Sequence, residues 1–203
     1  MYRPQGSFCF NGDRIVKVRE SGMPEEVAWE RFFDPAAILS ALDLGPGVSD
    51  VLEVGCGYGT FTIPAARIIR GKVYALDIEP AMIGRVEEKA GAADVGNVVV
   101  MLRDFIASGT GLADESVDYV MLFNILHAED PVGLLSEAFR VLKPGCKAGV
   151  IHWNYDQSTP RGPPMAIRPR PEQCIEWAAK AGFRLESRHD LKPYHYGLTI
   201  SKP

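Results

Sequence analysis

The chain has four cysteines in 203 residues, no long apolar run and no surplus of positive charge. Cys9, Cys56, Cys146 and Cys174 stand far apart and form neither a CxxC pair nor a Cys/His cluster, so they read as reduced thiols and no metal site is expected. The longest apolar stretch, Val117 to Leu126, is broken by Asp118 and Asn124, which argues against a membrane span, and the first six residues lack the apolar core of a leader. Residues 1–151 carry 14 basic and 21 acidic side chains, while 152–203 carry 8 and 5. That acidic body repels a nucleic-acid backbone, and the basic quarter is too dilute to bind one. The expectation is a cytoplasmic protein with neither nucleic-acid nor membrane partners. Its oligomeric state is open, with a homodimer as one reading.

What is present is an ordinary globular composition, 46% apolar and 24% charged, which suits one domain over 1–203. Apolar runs at Val51–Val54, Val73–Leu76, Val98–Leu102, Val117–Phe123 and Ala148–Ile151 predict five buried strands. Helical spacing follows Asp34-Pro35, Glu79-Pro80, Asp130-Pro131 and Pro171, with an acidic residue before proline as the opening in the first three. The last of these helices is expected to stop at Gly182. Phe183–Ser187 and Tyr194–Ile200 predict a terminal antiparallel pair. The alternation implies an α/β layered fold with a largely parallel sheet. Residues 1–33 and 152–170 fit no strand pattern and read as an N-terminal cover and a possible substrate lid.

Gly55, Gly57 and Gly59 stand at every second position directly after the first strand and before a helix beginning near Phe61. Glycines let a turn run tightly and bring a ligand against bare main chain, and the helix start offers free N–H groups. Eighteen residues after Gly59, Asp77 ends the second strand, where a carboxylate can accept from both hydroxyls of a ribose. A nucleotide-like cofactor is implied. Nicotinamide enzymes use related spacings, but here Thr60 occupies their third glycine position. Glu53, just before the glycines, suits an ammonium group better than a pyrophosphate. That favours S-adenosylmethionine over NAD. Cys56 reads as a small packing residue inside this loop.

With these motifs the sequence resembles the class I S-adenosylmethionine-dependent methyltransferases, of the type 11-like, small-molecule group. Val51–Thr60 resembles the family's first motif, Val73–Asp77 the strand ending in the ribose acid, and Arg103-Asp104-Phe105 the segment near the adenine. Phe123–His127, Arg140–Gly145 and Ala181–Phe183 match the later motifs in order, the second as a turn before strand five. The resemblance implies a Rossmann-like sandwich with a seven-stranded sheet, order 3-2-1-4-5-7-6 and strand 7 antiparallel. It also implies S-adenosylmethionine as cofactor and S-adenosylhomocysteine as product. By carry-over Glu53 meets the methionine amino group, and Gly55, Cys56, Gly57 and Gly59 line the methionine and ribose. Asp77 holds the ribose, Ile78 and Met82 flank the adenine, Asp104 takes its amino group beside Phe105, and Asn124 lies near the sulfonium.

Methyl transfer is an in-line displacement, so the site must align and dehydrate its reactants. A hydroxyl, thiol or acidic carbon must also lose a proton, for which His127 and His152 are the candidate bases. Trp153, Arg161 and Arg168 are candidate contacts to a small-molecule acceptor, the arginines suiting an acidic one. Phe8, Phe10, Trp29, Phe32 and Phe33 are candidates for closing the pocket, although Val27, Phe32 and Phe33 would equally pack a helix onto the sheet. His189 and His195 read as structural or exposed. A catalytically inactive cofactor-binding protein acting through protein contacts is the alternative function, and a nicotinamide oxidoreductase is a third.

Overall fold

Two strands set the architecture, because Val51–Val54 (β1) and Val117–Phe123 (β4) are too apolar to face water on either side. Such strands fit the middle of a parallel sheet covered on both faces. The computed structural model describes residues 24–203, and there β1 pairs in parallel with Val73–Asp77 (β2) and with β4. Val98–Leu102 (β3) extends the sheet beyond β2, and Leu142–Trp153 (β5) extends it beyond β4. The antiparallel pair Arg184–Leu191 (β6) and His195–Ser201 (β7) completes the order β3-β2-β1-β4-β5-β7-β6. This is the expected topology.

The connections supply the two outer layers. Pro35–Ala41 (α2), Thr62–Ile68 (α3) and Pro80–Ala92 (α4) cover one face, meeting Val51, Val73, Ala75, Met121 and Ile151. Phe105–Ser108 (α5), Pro131–Val141 (α6) and Pro171–Lys180 (α7) cover the other, meeting Leu52, Leu76, Val120, Leu122 and Val150. A short helix, Glu26–Glu30 (α1), precedes them. Asp34 and Asp130 cap their helices as expected, accepting from the N–H groups of Ala37 and Gly133. Glu79 gives α4 no side-chain cap, so that helix starts on its proline alone. Gly182 closes α7 in the left-handed region (φ +99°), and a Cβ there would press on the Phe139 ring at 3.0 Å.

Several expectations need correction. β3 is an edge strand and is only half-buried, because a sheet end has one neighbour and less cover. β5 begins at Leu142, six residues before the expected Ala148, because Leu142 already pairs with Val117 of β4, and Gly145 and Cys146 share backbone bonds with Lys202 just past β7. The stretch expected as a turn before it is thus partly in the ladder. At the other end His152 and Trp153 belong to β5, so the loop that was expected over 152–170 starts at Asn154. Val27 is 66% exposed and packs nothing onto the sheet. Phe8 and Phe10 lie outside the described residues. Among the described residues no helix is long and apolar enough to cross a membrane.

One long-range bond locks α2 to the sheet. The fully buried Tyr119 of β4 donates its hydroxyl to the Leu42 carbonyl at the end of α2, 2.6 Å away. Tyr119→Phe should lower unfolding stability by about 1 kcal/mol, since one buried hydrogen bond is lost and a carbonyl left unpaired. Urea denaturation of the two proteins measures it, and equal midpoints would contradict the assignment.

Candidate active site

The glycine loop between β1 and α3 has a shape only glycine holds without strain. Gly55, Gly57 and Gly59 have φ of +74°, +51° and +73°. A Cβ on Gly55 would stand 3.2 Å from the Ile125 side chain, and one on Gly59 would stand 3.1 Å from Val86. The loop is clasped by Asp77 at the end of β2. Its Oδ2 accepts from Gly57 N–H at 2.9 Å and its Oδ1 from Glu79 N–H at 3.0 Å. Gly55 and Cys56 both donate to the Leu76 carbonyl one residue earlier. Burial raises the Asp77 pKa, and those two backbone donors oppose the rise.

Glu53 lies at the same end of the sheet, almost wholly buried, with the Thr62 hydroxyl of α3 donating to its carboxyl. Burial pushes its pKa up to about 8, Thr62 pulls it down and the charge of Asp77 adds to the rise. Among the described residues no cation contributes. Burial thus favours the protonated form of this carboxyl. Cys56 is buried, and burial pushes its thiol up, out of reach of ordinary titration.

The neighbouring strand ends complete the site. Asn124 follows β4 in the left-handed region (φ +55°), its N–H donating to the Ile151 carbonyl at 2.8 Å. Both side-chain atoms of Asn124 are buried without a partner, as is the Thr60 hydroxyl at the loop exit. The rim is made by Ile125 and Phe105, whose side chains come nearest to Gly55. Asp104 caps α5 by accepting from Ala107 N–H at 2.9 Å. Ile78 and Met82 are half-buried at the opening of α4.

Beyond Asn124, His127 Nδ1 meets His152 Nε2 at 3.3 Å, with the two rings nearly perpendicular. His152 is fully buried, its Nδ1 has no partner, and burial holds its pKa well below the ordinary histidine value. Of the two histidines only His127 reaches partial exposure.

Two expected acceptor contacts are committed elsewhere. Trp153 is buried among Trp29, Phe32, Tyr194 and His195. Arg168 is buried and spends its guanidinium on the carbonyls of Asn154, Asp156, Arg161 and Pro163 and on the Thr159 hydroxyl, pinning the loop 154–170. Arg161 is exposed. Sequence reasoning missed Thr62, the natural partner for a buried acid one helix turn past the glycines, and the buried state of His195. His189 does what was expected, its Nε2 lying between the Ser187 and Thr199 hydroxyls at 2.8 and 3.0 Å. Among the described residues no group of three or more His, Cys, Asp or Glu could hold a metal ion.

A family model described as a methyltransferase domain matches residues 51–145. The chain is 30% identical to the aklanonic acid methyltransferase DauC of a Streptomyces species, over 70% of each chain. It is 27% identical to the sterol 24-C-methyltransferase erg6 of Schizosaccharomyces pombe, over 92% of this chain and 58% of that longer one. Among solved structures, an S-adenosylmethionine-dependent methyltransferase from Aquifex aeolicus superposes with a TM-score of 0.77 at 26% identity, over 87% of this chain and 93% of that one.

The raised Glu53 pKa gives a signed prediction. A carboxyl whose pKa is about 8 when folded, against about 4.5 when unfolded, makes stability fall as pH rises between those values. Glu53→Gln removes that dependence, so the variant should gain on the natural protein from pH 5 to pH 9. Thermal unfolding across this range measures it, and a difference constant with pH would contradict it.

Proposed function

Since this chain belongs to the class I S-adenosylmethionine-dependent methyltransferases, of the type 11-like group, we propose that it methylates a small-molecule acceptor with the following division of labour among its residues. When bound, S-adenosylmethionine supplies an electrophilic methyl group on a sulfonium sulfur and leaves as S-adenosylhomocysteine. No covalent link to the protein is needed. The residues therefore have to bind, align, exclude water and take up a proton.

The observation that carries the reading is a buried carboxyl without a cation, Glu53, beside a positive-φ glycine loop clasped by Asp77. That combination fits a ligand with an ammonium group at one end and a ribose in the middle. Glu53 receives the ammonium, with Thr62 holding its second oxygen. Gly55, Gly57 and Gly59, with Cys56 packed among them, present bare main chain. Asp77 keeps lone pairs for the ribose hydroxyls after bonding Gly57 and Glu79. Ile78 and Met82 flank the adenine, Asp104 accepts from its amino group and Phe105 lies beside the ring. The unpaired side-chain oxygen of Asn124 serves the sulfonium end.

At the acceptor side His127 takes the proton from an attacking hydroxyl or acidic carbon. His152 acts on it as a positioning residue through the Nδ1 to Nε2 contact, staying neutral because of its burial. The segment 24–33 and the loop 154–170 serve as cover and lid, with Arg161 free to meet an acidic group at the rim. A small acceptor is supported by the named substrates of two relatives, aklanonic acid and a sterol, and by the acidic body of the chain.

Two measurements test the cofactor residues. Asp77→Ala should weaken S-adenosylhomocysteine binding roughly ten- to a hundredfold in calorimetry, because a hydrogen bond to a charged group contributes about 1.5–3 kcal/mol. Unchanged affinity in a folded variant would refute the ribose role. Binding S-adenosylmethionine at pH 7 should also release a proton as Glu53 ionises against the ammonium. Titrations in two buffers of different ionisation enthalpy report that release, and Glu53→Gln should abolish it.

A further inference from the structure

Tyr58 stands between Gly57 and Gly59, and its side chain leaves the glycine loop to reach the segment ahead of α1. Its hydroxyl donates to the Pro24 carbonyl at 3.0 Å, 34 residues away along the chain. At the other end of the segment 24–33, Phe33 packs its ring against Phe61 at 5.2 Å, and Phe61 follows Thr60 at the loop exit. One short stretch of chain therefore meets the glycine loop from both of its own ends. The path of the loop requires the left-handed glycines and makes no demand for a tyrosine between them.

The two ends of that stretch are fastened by different forces. At α1 one carboxylate does the work: Glu26 takes Arg85 side-on, with Nε at 2.7 Å and Nη2 at 3.2 Å, and Lys89 Nζ at 2.9 Å. Lys89 also donates to Glu30, one turn along α1, at 2.6 Å. A carboxylate that holds a guanidinium at two points and an ammonium besides outlasts a lone surface pair, because the fork fixes its geometry and the charges form a network. The network still lies near solvent, with the Arg85 side chain 36% exposed and that of Glu26 19%, so salt screens it. None of the residues of α1 is fully buried. At the far end Phe32 packs on the buried Trp153 at 5.2 Å and Phe33 on the buried His195 at 4.5 Å, contacts that salt does not loosen. The end on α4 is thus the one that releases, and Phe32-Phe33 is the pivot.

Resting on the cofactor reading above, we infer that Tyr58 is a positioning residue that couples the glycine loop to an ionic latch, Glu26 with Arg85 and Lys89, so that the cofactor is retained while the latch is closed and exchanges when it opens. With α1 seated on α4, Pro24 holds the Tyr58 hydroxyl, and the loop is fixed by a side chain at two successive residues, Gly57 by Asp77 and Tyr58 by its own reach to Pro24. With α1 released, only the Asp77 clasp remains, and the N–H groups of the loop lose part of their preorganisation for a ligand. The coupling is reciprocal. Whatever the closed latch adds to retention of the cofactor, the bound cofactor adds to the seating of α1.

The test follows release of tritiated S-adenosylhomocysteine chased with unlabelled ligand. Release from the natural protein should quicken roughly threefold between about 0.02 M and about 0.5 M sodium chloride, as the latch is screened. Glu26→Gln should release at low salt as fast as the natural protein does at high salt, with no further response, and Tyr58→Phe should likewise be fast and insensitive. Glu88→Gln removes another partner of Arg85 without touching α1, and should keep the natural rate and salt response. Saturating S-adenosylhomocysteine should also slow hydrogen exchange of the α1 amides in the natural protein and not in Tyr58→Phe, a readout that a merely structural tyrosine would not move. Salt-independent release from the natural protein, a full salt response in Glu26→Gln, an equal effect of Glu88→Gln, or α1 exchange indifferent to ligand overturns the inference and leaves the cofactor reading standing. Failure of S-adenosylhomocysteine to bind the natural protein at all overturns both.

Discussion

The site depends on one carboxylate that serves two pieces of backbone at once. Asp77 ends β2, and its two oxygens accept from Gly57 in the glycine loop and from Glu79 at the start of α4. β1 and β2 are buried and paired in register up to Val54 and Leu76, so the carboxylate has little freedom to move away from the loop it holds. Three left-handed glycines at alternate positions would otherwise be a costly segment to order, since glycine loses more conformational freedom on folding than any other residue. The clasp orders that segment before any ligand arrives. Preorganised N–H groups then need no further rearrangement when they meet one.

The same region is electrically quiet for its chemistry. Burial favours the protonated form of Glu53 and the uncharged rings of His152 and His195. Of the buried acids, Asp77 is satisfied by backbone donors and Glu53 by a hydroxyl, without a lysine or arginine beside either. Opposite charges placed there would have competed with a cationic ligand and raised the desolvation penalty of the site.

The sheet was legible in the sequence because its strands are bounded by glycine, proline and aspartate, whose effects are local. Asp34, Asp130 and Gly182 do in the structure what their chemistry requires in any chain. The ends of β5 were not legible, since Lys143-Pro144-Gly145 reads as a turn until the Lys202 backbone bonds beside it. The site divided in the same way. The glycines and Asp77 are a local pattern with a local cause. The burial of Trp153, Arg168 and His195 arises from contacts among α1, β5, the loop 154–170 and β7, residues far apart along the chain. An arginine among prolines looks like a surface charge, and only the fold shows the carbonyls gathered around it.

That gathering has a consequence for how the protein can change. Loop 154–170 leaves β5 and enters α7 at fixed points, and much of its internal order converges on the Arg168 side chain through the carbonyls of residues 154, 156, 161 and 163. Backbone carbonyls do not depend on which side chains their residues carry. The exposed positions around Gln157 and Arg161 are therefore open to replacement while the loop keeps its path. The segment behaves as an interchangeable cassette keyed by one guanidinium, a place where the rim over the strand ends can diversify without renegotiating the sheet beneath it.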